Sequence, residues 1–339
     1  MKIVVPYGMV IVEEALAVMR EAAQVTSPRD DSQEALLAEV RDANALLAGP
    51  KTCLDRKLIE SSTGLKHIAR NGVGVDSIDL QAATERGIFV TNNPELTVDS
   101  VSEFTVALLL GLAKNIPRCD RAVKEGQWYE KNELIHVNIE LKGKTHGIVG
   151  LGKIGSRVAV VCKALGMRVL YFKRNRDLNL ERLLGVEYSP FAKLIRECDS
   201  ISLHSPLTDE TRNLFDKPQF ESMKKTALLI NQSRGEVVNE KALVQALKEG
   251  RIGGYATDVY DREPPDPKSE LFKLKNVVAT PHMGGGTREA RARSNMAIAE
   301  AVLEVMRGGI PKNLVNREVL RRKEDGNAYK KEYAEEAAI

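Results

Sequence analysis

Residues 145–166, THGIVGLGKIGSRVAVVCKALG, constrain this chain more than any other stretch. A short apolar run reaches Gly150. Glycines follow at 152 and 155, and a helical pattern begins at once. This is GxGxxG spacing between a strand and a helix, the context in which the spacing carries meaning. Gly150 serves the tight turn, Gly152 lets backbone approach a pyrophosphate, and Gly155 lets the helix pack on the strand. Lys153 and Ile154 open the helix whose N-terminus attracts the phosphates, so we count them with the glycines as cofactor-binding. A purely structural strand–turn–helix with glycines is the competing reading.

The rest of the chain repeats the same grammar. Apolar runs that end in Gly or a polar tip alternate with helical patterns: KIVVPY, ANALLAG, LKHIARNG and GIFVTNN before residue 95, then RVLYF, DSISLHSPL, ALLINQSRG, GGYATDVYD and NVVATPHMG after the fingerprint. Such alternation predicts parallel sheets, with chemistry at the carboxyl ends of the strands. At Ser100–Glu103 the sequence SVSE has the spacing of a capping box and predicts the start of a long helix. The 339 residues are enough for two domains. The expected fold is α/β with two doubly wound parallel-sheet domains, a Rossmann cofactor domain over 99–288 and a flavodoxin-like substrate domain over 1–98 and 289–320. Residues 321–339 read as a charged tail.

Composition narrows the function. The chain is 43% hydrophobic and 29% charged with a net charge of +3, which gives no reason to expect a nucleic-acid partner. No run is long enough to span a membrane. The N-terminus lacks the long apolar stretch of a signal peptide and reads as a first strand. Cys53, Cys119, Cys162 and Cys198 show no CxxC spacing, so no metal site and a reducing, cytoplasmic location are expected.

The fingerprint also predicts an acidic residue about 20 positions on, bonding the ribose hydroxyls of NAD. Here the next apolar run ends in RVLYFKRNR, with Lys173, Arg174 and Arg176 and no acid. A carboxylate repels a 2′-phosphate, whereas a guanidinium binds it bidentately. The expectation is NADP preferred and NAD possible, with Arg174 on the phosphate and Lys173 or Arg176 assisting. A solvated basic turn that still accepts NAD is the alternative.

Six segments, NGVGVDSIDL, GLGKIG, HSPLTDETRNL, LINQSRGEVVNEKAL, GGYATDVYDREPP and TPHMGGGT, together resemble the D-isomer-specific 2-hydroxyacid dehydrogenase family. The resemblance runs from about Lys2 to Asn316 and implies a catalytic set of Arg234, Glu263 and His282, separated by 29 and 19 residues. The residue types suit reduction of a 2-oxo acid. Arg forks onto the carboxylate and polarises the carbonyl, His donates a proton, and a neighbouring carboxylate stabilises the imidazolium. The resemblance further implies substrate contacts at Val73, Gly74 and Arg234. It implies cofactor contacts at Gln232, Ser233, Asp258, His282 and Gly284, and at His204 and Pro206 over the adenosine side. Asp258 is expected on the nicotinamide amide. His67, His136 and His146 are expected to be structural or exposed. A homodimer and a small 2-oxo or 2-hydroxy acid substrate are implied as well.

Some positions depart from the family pattern. Gln232 stands where small residues are common, Thr97 where Asn is frequent, and the Gly-rich MGGGT predicts a looser loop after His282. The family's phosphoglycerate dehydrogenases typically carry an Arg after the strand in ALLAG. That position here is Gly49, with Lys51 nearby and Arg70 available. D-3-phosphoglycerate dehydrogenase using NAD is therefore the rival enzyme reading, and a dinucleotide-sensing corepressor the non-enzymatic one.

Overall fold

The computed structural model describes residues 1–49 and 52–321. The chain divides into two compact units, Met1–Thr97 with the segment from Arg288 onward, and Val98–Thr287.

The first unit holds a parallel sheet of five strands, β1 (Lys2–Val4), β2 (Gln24–Thr26), β3 (Ala45–Ala48), β4 (His67–Arg70) and β5 (Phe89–Thr91), in the order β2-β1-β3-β4-β5. This is the flavodoxin-like order. Strands β3, β4 and β5 are buried at every position, as expected where helices cover both faces. Asp55 and Asp79 cap the helices that follow their loops by accepting from Leu58 N and Ala82 N. The chain returns to this unit through the helix Arg288–Met306, which packs against helix Glu13–Ala22 and β4.

The second unit holds seven parallel strands, β6 (Thr145–Val149), β7 (Arg168–Phe172), β8 (Glu187–Tyr188), β9 (Ser200–Leu203), β10 (Leu228–Asn231), β11 (Gly254–Thr257) and β12 (Val277–Ala279). Their order, β12-β11-β10-β9-β6-β7-β8, is the Rossmann order with one strand added. The order reverses between β6 and β9.

Three elements differ from the sequence reading. Strands β2 and β8 were not expected: they are short, lie at sheet edges, and carry Gln24 and Glu187 rather than an apolar run. The capping box at Ser100–Glu103 does not form. The helix already begins at Val98, Ser100 is buried inside it, and the Ser100 hydroxyl donates to Gly284 O at 2.6 Å instead of capping. Tertiary hydrogen bonding has taken the side chain that the local motif would have used. No helix among the described residues is long and apolar enough to cross a membrane. The tail proposed for 321–339 falls, beyond Arg321, outside the described residues, as does Lys51.

Candidate active site

In the Val98–Thr287 unit the fingerprint glycines form the turn between β6 and the helix Lys153–Ala164. Gly150 has φ +100°, and a Cβ there would lie 2.8 Å from the carbonyl carbon of His204. A Cβ at Gly155 would strike Gly150 O, so the helix and turn close only without one. Gly152 faces open space and forms the N-cap of helix Lys153–Ala164 with no side-chain cap, leaving the first-turn N–H groups for an anion. Lys153 is exposed and Ile154 leans on the core.

At the tip of β7 the three cations differ. Arg176 is held bidentately by Glu181 at 2.7 and 2.8 Å and covers the Tyr188 ring. That pair draws the Glu181 carboxyl down to about 2, chiefly through the Arg176 bonds. Arg176 is thus engaged within the fold, and the idea that it assists a cofactor phosphate loses its basis. Lys173 approaches Asp177 at 3.9 Å, and Arg174 approaches Glu210 at 3.9 Å with 78% of its side chain exposed. Arg174 is the cation most loosely held and best placed to turn to a new anion.

The strand tips of β10, β11 and β12 carry the acid–base groups. Asn231 builds the β10 turn: its Oδ1 accepts from Ser233 N and Oγ, and its Nδ2 donates to Arg234 O. Arg234 is half-buried beyond this turn, with Nη1 donating to Ser233 O at 2.7 Å. Glu263 Oε2 lies 2.6 Å from His282 Nδ1, and its Oε1 accepts from Tyr260 N. Burial pushes the Glu263 carboxyl up. The His282 bond and charge, the Tyr260 N–H and the Arg234 charge outweigh it, so the group is lowered overall and stays ionised. A carboxylate on Nδ1 places a proton on that nitrogen and leaves Nε2 as the other working atom of the ring.

His282 has φ +54°, a left-handed conformation that a non-glycine residue adopts only when its surroundings impose it. Asp258 imposes it. Fully buried, it accepts from Thr280 Oγ1 at 2.6 Å, Met283 N at 2.8 Å and Gly284 N at 2.6 Å. The expected looseness of MGGGT is therefore wrong, since the turn is clamped at both of its sides. The Asp258 side chain also serves the His282 turn first, with a nicotinamide contact left only to its remaining lone pair. Gln232 and Gly284 explain each other, because a Cβ at Gly284 would lie 2.8 Å from Gln232 Oε1. The large residue at 232 fits because 284 has no side chain.

These residues fit a dinucleotide on structural grounds. Three buried polar atoms, His204 Nδ1, Ser205 Oγ and Gln232 Nε2, have no partner among the described residues and sit at the tips of the adjacent strands β9 and β10, where the His204–Ser205 peptide packs on Gly150. Pro206 is exposed further along the β9 loop.

The family model for "D-isomer specific 2-hydroxyacid dehydrogenase, NAD binding domain" matches residues 106–284. A glyoxylate reductase of Aeropyrum pernix is 42% identical over 297 residues, covering 86% of this chain and 89% of that protein. The chain belongs to the D-isomer-specific 2-hydroxyacid dehydrogenase family. It is an NAD(P)-dependent oxidoreductase. A D-3-phosphoglycerate dehydrogenase of Archaeoglobus fulgidus is also 42% identical, over 90% of this chain and 58% of its own length. The crystal structure of TT0316 protein from Thermus thermophilus superposes with a TM-score of 0.86 at 35% identity, covering 93% of this chain and all of that one.

In the first unit of this dehydrogenase, the NGVG loop after β4 is held by its carbonyls. Gly72 O accepts from Asn93 N, Val73 O from Asn92 Nδ2 and Gly74 O from Arg70 Nε. A trans peptide sets each N–H opposite the preceding C=O, so the N–H groups of Val73 and Gly74 point away from these anchors. Ser294 Oγ donates to Asn71 Oδ1 and fixes the start of the loop. Asn92, Asn93 and Ser294 were not singled out in the sequence, where nothing marks a loop anchor that acts, like Ser294, from 223 positions away. Arg70, expected to be available to a ligand, instead donates through Nε and Nη1 to Gly74 O and Gly49 O. His67 is buried against Thr91, and His136 is exposed.

Gly235, beside Arg234, is the tightest backbone junction of the site: a Cβ there would land on the Tyr260–Asp261 peptide. Gly235→Ala is expected to move Arg234 away from the Glu263 loop and lower turnover by about tenfold or more. Steady-state kinetics with a melting curve will separate this displacement from unfolding.

Proposed function

We propose that this enzyme reduces a small 2-oxo acid to the D-2-hydroxy acid with NADPH, and that His282 supplies the proton. The observation that carries the reading is the 2.6 Å His282–Glu263 pair, in the same unit as Arg234 and the fingerprint turn. A nicotinamide, when bound by these residues, would supply the hydride for the carbonyl carbon. Arg234 holds the substrate carboxylate and polarises the carbonyl. His282 gives its Nε2 proton to the carbonyl oxygen, and Glu263, kept ionised, compensates the imidazolium and orients the ring. Gly150, Gly152, Gly155, Gln232 and Ser233 would hold the dinucleotide, and Arg174 its 2′-phosphate. Relatives named glyoxylate reductase support a small substrate. The Val73 and Gly74 amides are the anion-binding groups we assign to the first unit. Exposed Trp128 and Tyr129 favour self-association as a homodimer.

His282→Ala should lower turnover about a hundred- to ten-thousand-fold while NADPH still binds, as read by nicotinamide fluorescence. Near-normal turnover would exclude the proton-donor role. For the cofactor, Arg174→Ala should raise KM for NADPH about tenfold and leave KM for NADH unchanged. Equal or better kcat/KM with NADH in the unmodified enzyme would overturn the NADPH preference.

A further inference from the structure

Four polar side chains cross the core of the seven-stranded sheet where its strand order reverses. His146, on β6, is fully buried, with Nδ1 2.8 Å from Ser200 Oγ and Nε2 2.9 Å from Ser202 Oγ, both on β9. Ser202 Oγ is also 2.9 Å from His204 Nε2. The chain ends at His204 Nδ1, buried and without a partner among the described residues. Burial pushes both imidazoles down, His146 to about 3 and His204 to about 4, so both rings are neutral.

Counting protons decides the direction of these bonds. A neutral imidazole has one donor and one acceptor nitrogen, and a serine hydroxyl has one proton. If the protons point inward, His204 donates to Ser202, Ser202 to His146, and His146 to Ser200. The Ser200 proton is then left in the core with no acceptor among the described residues. Reversed, Ser200 donates to His146 Nδ1, His146 Nε2–H to Ser202, and Ser202 to His204 Nε2. The one proton left over is then His204 Nδ1–H, at the mouth of the sheet. An unmet donor deep in the core is the costlier arrangement, and a continuous chain in one direction strengthens each of its bonds.

We propose that the Ser200–His146–Ser202–His204 chain locks His204 in its Nδ1–H tautomer and offers that N–H as a fixed donor to an oxygen of the dinucleotide. His146 is thereby a positioning residue for the cofactor. The inference rests on the cofactor placement proposed above. Its support is local: the Gly150 turn packs against the His204–Ser205 peptide, so the donor stands beside the turn that receives the pyrophosphate. Ser205 Oγ, also buried and unpartnered, adds a second polar atom at the same tip. The acceptor is a phosphate or a ribose oxygen, which share this chemistry.

The test is imidazole 15N NMR of the full chain, which has five histidines. His204 should appear as the Nδ1–H tautomer without ligand, and its Nδ1 signal should move on saturation with NADPH. A shift with ADP but not adenosine assigns the acceptor to phosphate, and a shift with both assigns it to ribose. His146→Leu and Ser202→Ala should each weaken NADPH binding about tenfold, and the double variant no further, because both cut one chain. An Nε2–H tautomer at His204, an Nδ1 signal unmoved by bound NADPH, or unchanged affinity in both folded variants would overturn the proposal. If the unmodified protein binds no NADPH, the cofactor placement fails and the donor role falls with it. If it binds but the histidine signals and variants do not respond, only the inference fails. Should a variant not fold, the tautomer of the unmodified protein still decides.

Discussion

One buried carboxylate organises the acid–base end of this protein. Asp258 sits at the tip of β11 and accepts three hydrogen bonds from the turn after β12. Hydrogen bonds to a charged group are worth about 1.5–3 kcal/mol each, enough to hold one residue in the left-handed region. That residue is His282, and the turn brings its Nδ1 to Glu263. Gly284 completes the arrangement from both sides, with its N–H on Asp258, its carbonyl on Ser100, and no Cβ to displace Gln232. The His282–Glu263 geometry is a property of the whole turn rather than of those two residues alone.

The dinucleotide end is built on a different constraint, close backbone approach. Gly150 lets the β6 turn close on the peptide after β9, Gly155 lets the following helix close on that turn, and polar side chains tie β6 and β9 together below it. The result is a tight turn flanked by buried polar atoms that lack partners among the described residues. Such atoms are costly unless a ligand meets them, and their concentration at adjacent strand tips is a stronger pointer to a cofactor than the glycine spacing alone.

Much of this was legible in the sequence, for physical reasons. Buried parallel strands write themselves as apolar runs, and Ala45–Ala48 or Leu228–Asn231 could hardly be read otherwise. Edge strands β2 and β8 left no such trace. The family resemblance pointed to Arg234, Glu263 and His282, which the structure sets beyond the neighbouring strands β10, β11 and β12. What stayed hidden were long-range bonds. SVSE looked like a cap because the partner of Ser100 lies 184 positions away. Arg176 looked free to assist Arg174 because Glu181 and Tyr188 meet it only once β7, β8 and the intervening helix are packed. His146 was expected to be structural or exposed; the alternate serines on β9 that hold it buried become its partners only through strand register.

The account turns on hydride transfer from the reduced nicotinamide to a 2-oxo acid, with this chain's groups setting the face of attack. The direct measurement is incubation with NADPH deuterated at the transferring C4 position and hydroxypyruvate, followed by mass and chiral analysis of the product. The account predicts glycerate of D configuration carrying one deuterium at C2. A product without deuterium at C2, or of L configuration, would contradict it.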